Sequence, residues 1–336
     1  MDNKTRKYVV GLLVLFLLNG IVQARTVRME LGTLAPKNSS HHRILLAMGQ
    51  KWRQAPGGGI RLKVFPSGVV GNESDMVREM RVGGIQAALL TTSGLCDIDN
   101  AVGNFQSLPM VFRNLEEFEY VYKKMQPDFE KRLAEKGFVV LFWADAGWVH
   151  FFTRNLLMTP EDLKGMKIFA SSNVSETADM WQAGGQHPVP LDAADIPMGL
   201  QTGMIDAVTV PPIYAMATRM DTVAKHMLDL NWVPLVVAAV MQKKTWDALT
   251  PEAQVFVKTT AQEAAAEMVV KGRAEGLASI AAMQKRGLQI HHATPEVVAQ
   301  WVTAVEAMHS TLRGGLVPED IFDEVQRLLK EYRTAP

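Results

Sequence analysis

Short alternating apolar runs are separated by helical patterns in the first half of the chain. Each run has the period of two that is typical of a strand or the continuous apolar character of a buried one. The predicted strands are Val27–Leu34, Ile60–Phe65, Ile85–Thr91 and Phe138–Trp143. The predicted helices are one ending at Trp52, Glu73–Val82 and Leu115–Lys136. This alternation predicts an α/β protein with a parallel, doubly wound sheet.

The second half repeats the alternation and then becomes mostly helical. The predicted strands are His150–Thr153, Lys167–Ala170, Ala207–Val210, Val233–Met241 and Leu288–His292. The predicted helices are Glu176–Ala183, Pro197–Thr202, Pro251–Lys285, Glu296–Leu312 and Pro318–Glu331. The helix over Pro251–Lys285 is long enough to run behind two domains as a spine.

The chain of 336 residues is too long for one ordinary domain and suits two. Predicted crossovers near Asp145 and Asp229 imply lobes of discontinuous sequence. We expect residues 26–145 with 230–272 in lobe I, and residues 146–229 with 273–330 in lobe II. The fold class expected is therefore α/β with two lobes, a hinge between them and a long spine helix.

The first 24 residues have the pattern of a signal peptide. Lys4, Arg6 and Lys7 precede the short apolar run Tyr8–Val22, and Val22-Gln23-Ala24 precedes a plausible cleavage point. We therefore expect a soluble mature protein in a bacterial periplasm, beginning near Arg25. A retained membrane anchor is the alternative, although the run is short for a membrane span.

Charge and composition exclude several classes of function. Lys and Arg number 35, and Asp and Glu also number 35, so no excess charge indicates a nucleic acid partner. The single cysteine, Cys96, forms no internal disulfide and has no recognisable activating partner. The pairs His41-His42 and His291-His292 lack further ligands at metal-site spacing. No phosphate loop, dinucleotide motif or nucleophile elbow is present, so neither a cofactor nor an enzyme is predicted.

Four segments, taken in order, resemble the solute-binding proteins of TRAP transporters, the DctP-like family. They are Phe65-Pro66-Ser67-Gly68, Leu108-Pro109-Met110-Val111-Phe112, Thr159–Phe169 and Leu200–Ala207. Each segment alone is a weak signal, but together they span nearly the whole mature chain. The resemblance implies two α/β lobes that close on a ligand and deliver it to membrane permease subunits.

The same resemblance indicates where a ligand should bind. The position of Phe169 is normally an arginine that pairs with the carboxylate of the ligand, and a phenyl ring cannot form that contact. Val149 and Val210 occupy two further positions that are polar in the family. These replacements favour an apolar or amphiphilic ligand. The alternative is an ordinary carboxylate binder with a relocated arginine, for which Arg154 and Arg219 are candidates.

Aromatic and hydroxyl side chains complete the candidate site. Trp148 and Trp232 lie near the predicted crossovers, and Tyr214 follows a pair of prolines. Such residues often line adaptable apolar pockets, although for any one of them alone ordinary core is the commoner explanation. Thr92 and Ser93 follow a strand and could orient a ligand or cap the next helix.

The sequence thus predicts a periplasmic binding protein that captures a small or lipid-like ligand. Its expected partners are TRAP permease subunits, with a helical-repeat periplasmic protein as a further candidate if the ligand is a lipid.

Overall fold

The structure, a computed structural model, describes residues 26–105, 107–172 and 174–334, and of Ser310 only the backbone. Nine strands of this part form one mixed sheet in the order β2-β1-β3-β8-β4-β7-β5-β6, with β9 also paired to β8. The strands are β1 (Val27–Thr33), β2 (Ile60–Phe65), β3 (Ala87–Leu90), β4 (Phe138–Thr153), β5 (Lys167–Ser171), β6 (His187–Leu191), β7 (Ala207–Val210), β8 (His226–Gln242) and β9 (Gln289–His292).

Helices cover both faces of the sheet. They are α1 (Ser40–Trp52), α2 (Glu73–Val82), α3 (Thr92–Cys96), α4 (Asn100–Asn104), α5 (Leu115–Glu135), α6 (Pro160–Leu163), α7 (Ser175–Ala183), α8 (Ile196–Thr202), α9 (Pro212–Ala217), α10 (Lys243–Asp247), α11 (Pro251–Lys285), α12 (Pro295–Ala307), α13 (His309–Leu312) and α14 (Glu319–Thr334). Short 3₁₀ turns span Ala193–Asp195 and Met220–Thr222.

Two long antiparallel strands, β4 and β8, join the two lobes. The first half of β4 pairs with the last half of β8, which also pairs with β3. The last four residues of β4 pair with β7, and the first residues of β8 pair with β9. Lobe I therefore contains β1, β2 and β3, lobe II contains β5, β6, β7 and β9, and both share β4 and β8.

The helix α11 contacts both lobes. Its first half, from Ala253 to Met268, belongs to a core with α1 and strands β1–β3. Near its end, Ile280 and Met283 pack into the lobe II core with α8 and β7. A third core covers the opposite face of the sheet, where α2, α5, α7 and α14 lie.

Several expected elements differ in extent from those observed. β4 is one continuous strand where two were expected, and β8 begins at His226 and not at Val233. Asp145, at the expected crossover of β4, pairs with Val236 of β8. The strand β8 therefore crosses between the lobes closer to Val236 than to Asp229, where its crossover was expected. The exact limits of the two domains stay a prediction. The sheet is mixed and not wholly parallel, since β4 runs antiparallel to β7 and β8, and β8 runs antiparallel to β3.

The strand β6 was not predicted. It carries Pro188 and Pro190, which lack backbone N–H groups and argue against a strand in the interior of a sheet. Its position at the edge of the sheet removes that objection. The expected signal peptide lies outside the described residues. Among the helices of the described part, none is long and apolar enough to cross a membrane.

Candidate functional site

A cavity of about 230 Å³ lies between the lobes, beside the carboxyl ends of β1, β3, β5 and β7. This is where two α/β lobes are expected to hold a ligand. The residues lining it are Thr33, Leu34, Ala35, Pro36, His41, Glu73, Leu89, Thr91, Thr92, Ser93, Ala146, Val149, Phe169, Ala193, Ile196, Thr209, Val210, Pro211, Ile213, Tyr214, Leu235 and Val237.

The wall from lobe II is largely apolar. Phe169 projects from β5, Val210 ends β7, and Ile196 and Ile213 come from the first turns of α8 and α9. The hydroxyl of Tyr214 donates to the carbonyl of Ala193 at 2.8 Å, and burial raises the pKa of Tyr214 to about 12. This hydroxyl therefore stays protonated, and its proton is used in the hydrogen bond to Ala193.

The wall from lobe I is more polar. Thr91, Thr92 and Ser93 follow β3, where the chain turns into α3, and Thr33 ends β1. Glu73 is the first residue of α2, and its carboxyl group contacts Thr91. The cavity is therefore two-sided, with hydroxyl groups and one carboxyl group facing aliphatic and aromatic side chains.

Of the described residues that line the cavity, Glu73 is the only one with an Asp or Glu side chain. Its carboxyl group accepts hydrogen bonds from the amide of Thr91 at 2.8 Å, the hydroxyl of Thr91 at 2.7 Å and the amide of Gly94 at 2.9 Å. Burial raises the pKa of this carboxyl, and the three hydrogen bonds oppose that rise. The group fixes the start of α3 and adds an acidic character to this wall.

His41 lies at the base of the cavity, against α11. Burial lowers its pKa, while Glu275 and Asp145 act in the opposite direction. The imidazole is therefore neutral near pH 7 and supplies no positive charge. Its Nε2 has no hydrogen-bond partner among the described residues.

Neither candidate for a relocated arginine lines the cavity. The guanidinium of Arg154 donates to the carbonyl of Leu200 at 2.6 Å and lies 3.9 Å from Asp206. Arg219 adopts a left-handed backbone conformation at the start of a 3₁₀ turn in lobe II. Among the described residues, no lysine or arginine contributes to the cavity wall.

The cavity brings together six of the eight predicted site residues. These are Thr92, Ser93, Val149, Phe169, Val210 and Tyr214. Their role in binding remains a prediction, since contact with a cavity does not itself measure affinity.

Trp148 and Trp232 do not line the cavity, so their expected role in ligand binding stays a prediction without support from its wall. Trp232 is 4% exposed, stacks on Trp181 with ring centroids 5.5 Å apart, and contacts Phe151 edge-on. Trp148 packs against the same core. Both lie near the crossovers, and both pack against this core outside the cavity wall.

Sequence reasoning missed Glu73 and His41. Sequence patterns give Glu73 no role in a site, and they present His41 only as half of a histidine pair. The cap at Asn72 was the available signal for Glu73, because it fixes the acid at the first position of a helix that follows a strand. Within the described residues, no group of three His, Cys, Asp or Glu side chains could hold a metal ion.

Comparison with known proteins gives a consistent family. Residues 31–313 match the family described as bacterial extracellular solute-binding protein, family 7. The chain is 28% identical over 209 residues to the 2,3-diketo-L-gulonate-binding periplasmic protein YiaO of Escherichia coli, covering 62% of this chain and 63% of that protein.

Solved structures agree in fold. A TRAP periplasmic solute-binding protein from Pseudomonas putida F1 with bound D-glucuronate has a TM-score of 0.80 and 25% identity, covering 92% of this chain and 97% of that one. The sugar acid binding protein DctPAm from Advenella mimigardefordensis in complex with galactonate has a TM-score of 0.85 and 14% identity, covering 91% and 99%.

Family members are periplasmic solute carriers of transport systems and not enzymes, and they deliver a small-molecule ligand to membrane permease subunits. The two-lobed architecture, the cavity between the lobes and the match over most of the chain lead to one conclusion. The chain belongs to family 7 of the bacterial extracellular solute-binding proteins, the binding proteins of TRAP transporters.

Proposed function

We propose that this protein captures a small, uncharged, apolar or amphiphilic molecule in the cavity between its lobes and delivers it to a TRAP permease. The observation that carries the proposal is the cavity wall, which has Phe169 on β5 and, in the part of the chain that the structure describes, no lysine or arginine. Aliphatic and aromatic surface favours apolar parts of a ligand by about 25 cal/mol per Å² buried, before the cost of ordering.

Electrostatics support an uncharged ligand. A carboxylate in this cavity would lose its hydration without gaining a cationic partner, which costs several kcal/mol. It would also approach the buried carboxyl group of Glu73. The hydroxyl groups of Thr91, Thr92 and Ser93 suit the polar end of an amphiphile, while the lobe II wall suits its apolar end.

A sugar acid is the second candidate, because structural relatives contain D-glucuronate and galactonate. The hydroxyl groups on the lobe I wall suit a sugar. The carboxylate of such a ligand lacks a positively charged partner in this wall, and this difference makes it the weaker candidate.

The cavity volume limits the size of the ligand. A space of about 230 Å³ holds a small molecule and not a complete long lipid chain. Of the partners expected from sequence, the proposal therefore retains the permease, and it does not need a helical-repeat lipid acceptor.

Native mass spectrometry of protein purified from the periplasm identifies any retained ligand. Titration calorimetry then compares that compound with succinate, sialate, D-glucuronate and short uncharged amphiphiles. We expect measurable binding of an uncharged compound and none of the three anions. Tight binding of D-glucuronate or succinate would overturn the proposal and would leave the family assignment unchanged.

The variant Phe169→Arg provides a sharper test of the cavity wall. We expect it to weaken binding of an uncharged ligand at least tenfold, because a desolvated guanidinium without a partner is costly. Phe169→Leu is the matched control, since it keeps an apolar wall and should weaken binding by only a few fold. Equal affinity of the arginine variant would show that Phe169 does not contact the ligand.

A further inference from the structure

Hydrogen bonds join the two lobes beside the cavity. Asn72, which follows β2 in lobe I, donates through Nδ2 to Oδ2 of Asp192 in lobe II at 3.0 Å. Asp192 also accepts a hydrogen bond from the hydroxyl of Ser172 through its other oxygen. One carboxyl group thus connects both lobes and the end of β5.

A second bridge lies beside the first. The hydroxyl groups of Ser93 in lobe I and Ser171 in lobe II are 3.2 Å apart. Glu73 connects the lobe I partners of the two bridges, because it is adjacent to Asn72 and accepts from the amide of Gly94, next to Ser93. In lobe II, Ser171 and Ser172 are neighbours in the chain.

These contacts form a continuous polar circuit across the lobe boundary beside the cavity. We call it the mouth ring, and it comprises Asn72, Glu73, Ser93, Ser171, Ser172 and Asp192. Of these residues, only Glu73 and Ser93 line the cavity. Asn72 and Asp192 bridge the lobes without contributing to the wall, so they can affect ligand affinity through lobe closure. Asn72 also caps the helix that begins at Glu73, and the substitution used to test it must keep that cap.

We propose that the mouth ring is a closure latch in which Asn72 and Asp192 are positioning residues that stabilise the closed form. The inference rests on the proposed function only in that the lobes close on a ligand, whatever its chemistry. The apparent affinity of a protein that binds in one conformation is reduced by the fraction of molecules in that conformation. A latch therefore sets affinity without touching the ligand.

Two substitutions, when combined, exchange the donor and the acceptor of the hydrogen bond between Asn72 and Asp192. Asn72→Asp keeps a residue that caps α2, but it replaces the amide donor with a carboxylate that faces Asp192. Asp192→Asn leaves one oxygen to accept from Ser172 and places an amide opposite the amide of Asn72. The double variant Asn72→Asp with Asp192→Asn restores an amide–carboxylate pair in the reverse direction.

Lobe separation can be measured without knowing the ligand. Spin labels at Val69→Cys in lobe I and Met198→Cys in lobe II use two exposed positions near the ring. Cys96 is buried and burial raises its pKa, so it should not be labelled. Double electron–electron resonance then reports the populations of short and long distances in the protein alone.

We expect each single variant to lower the ratio of closed to open molecules about tenfold, as loss of a hydrogen bond to a charged group implies. We expect the double variant to return this ratio to within threefold of the parent. Asp195→Asn is the matched control, since it removes an exposed charge three residues away and should leave the ratio unchanged.

Thermal unfolding of the same variants separates a latch from a general loss of stability. Unchanged distance distributions in both single variants would overturn the proposal, as would a double variant that opens further. Either result leaves the ligand proposal intact, because calorimetry tests that proposal independently.

Discussion

Glu73 holds together the two segments that form the polar wall of the cavity. It begins α2, and its carboxyl group accepts three hydrogen bonds from Thr91 and Gly94 at the start of α3. These donors satisfy the group without a cation. A buried acid in such a position couples the geometry of the cavity to pH.

Glu73 should make the stability of the folded protein depend on pH. Burial raises the pKa of Glu73 in the folded protein. The folded state therefore binds this proton more tightly than the unfolded chain does. The resulting stabilisation is complete below the pKa of the unfolded chain and is lost as pH rises through the pKa of the folded protein.

Comparison with Glu73→Gln isolates this effect, since other titrating groups cancel in the difference. We expect the melting temperature of the parent minus that of the variant to fall as pH rises above 4.5, the ordinary pKa of the carboxyl group. A difference that is constant or rises with pH would show that the carboxyl is not destabilised by burial.

Sequence reasoning located the apolar wall more successfully than the polar one. Phe169 and Val210 stand at motif positions that fix their register on β5 and β7, so their approach to one cavity could be expected. The burial of Glu73 and His41 depends on contacts between segments far apart in sequence, and single-sequence patterns do not encode those contacts. The same limitation applies to Trp232, which joins an aromatic cluster with Trp181 and Trp301 outside the cavity wall.

At the scale of elements, α11 contains two glycines one turn apart, Gly272 and Gly276, whose surroundings differ. A Cβ atom at Gly272 would lie 2.9 Å from Cε1 of His41, whereas a Cβ at Gly276 would meet no atom within 4 Å. Gly272 thus marks the close approach of α11 to α1 at the base of the cavity.

Alanine substitution should therefore have opposite effects at the two positions. We expect Gly276→Ala to raise the free energy of unfolding by about 1 kcal/mol, because alanine favours the helix. We expect Gly272→Ala to lower it by about 1–3 kcal/mol, since overpacking against a buried ring outweighs that gain. Denaturant unfolding measures both, and equal stabilisation by the two alanines would contradict the tight contact.

Many elements were predictable because their local signals agree with their tertiary positions. The bounds predicted for β2, α2, β7 and α11 are those observed. β4 and β8 were harder, since β-bulges interrupt their pairing and polar residues interrupt their apolar runs near the crossovers. The short helices α3, α4 and α9 lack enough turns to show a helical period.

Across the whole molecule, the lobes share strands, a helix and a charged contact at the crossover. Arg273 on α11 donates to Asp145 on β4 at 2.9 and 2.7 Å and to Glu119 on α5 at 2.6 Å. One sheet continues through both lobes, so neither lobe has a separate sheet of its own. The molecule can bend between its lobes, but it cannot unfold one lobe without exposing strands of the other.

We therefore expect one cooperative thermal transition, despite the two lobes. In differential scanning calorimetry the calorimetric enthalpy should match the van't Hoff enthalpy. Two resolved transitions, or a calorimetric enthalpy well above the van't Hoff value, would show that the lobes unfold separately. Arg273→Met should lower the melting temperature while keeping a single transition, because it leaves Asp145 buried without its partner.

The two prolines of β6 bear on solubility. An edge strand normally offers alternating N–H and C=O groups to which a strand from another molecule can add. Pro188 and Pro190 are two residues apart in β6, so their backbone groups face the same side of the strand. That side is the open edge of the sheet, where both positions lack an N–H donor. An approaching strand would find acceptors there without matching donors, so this margin resists the intermolecular pairing that begins aggregation.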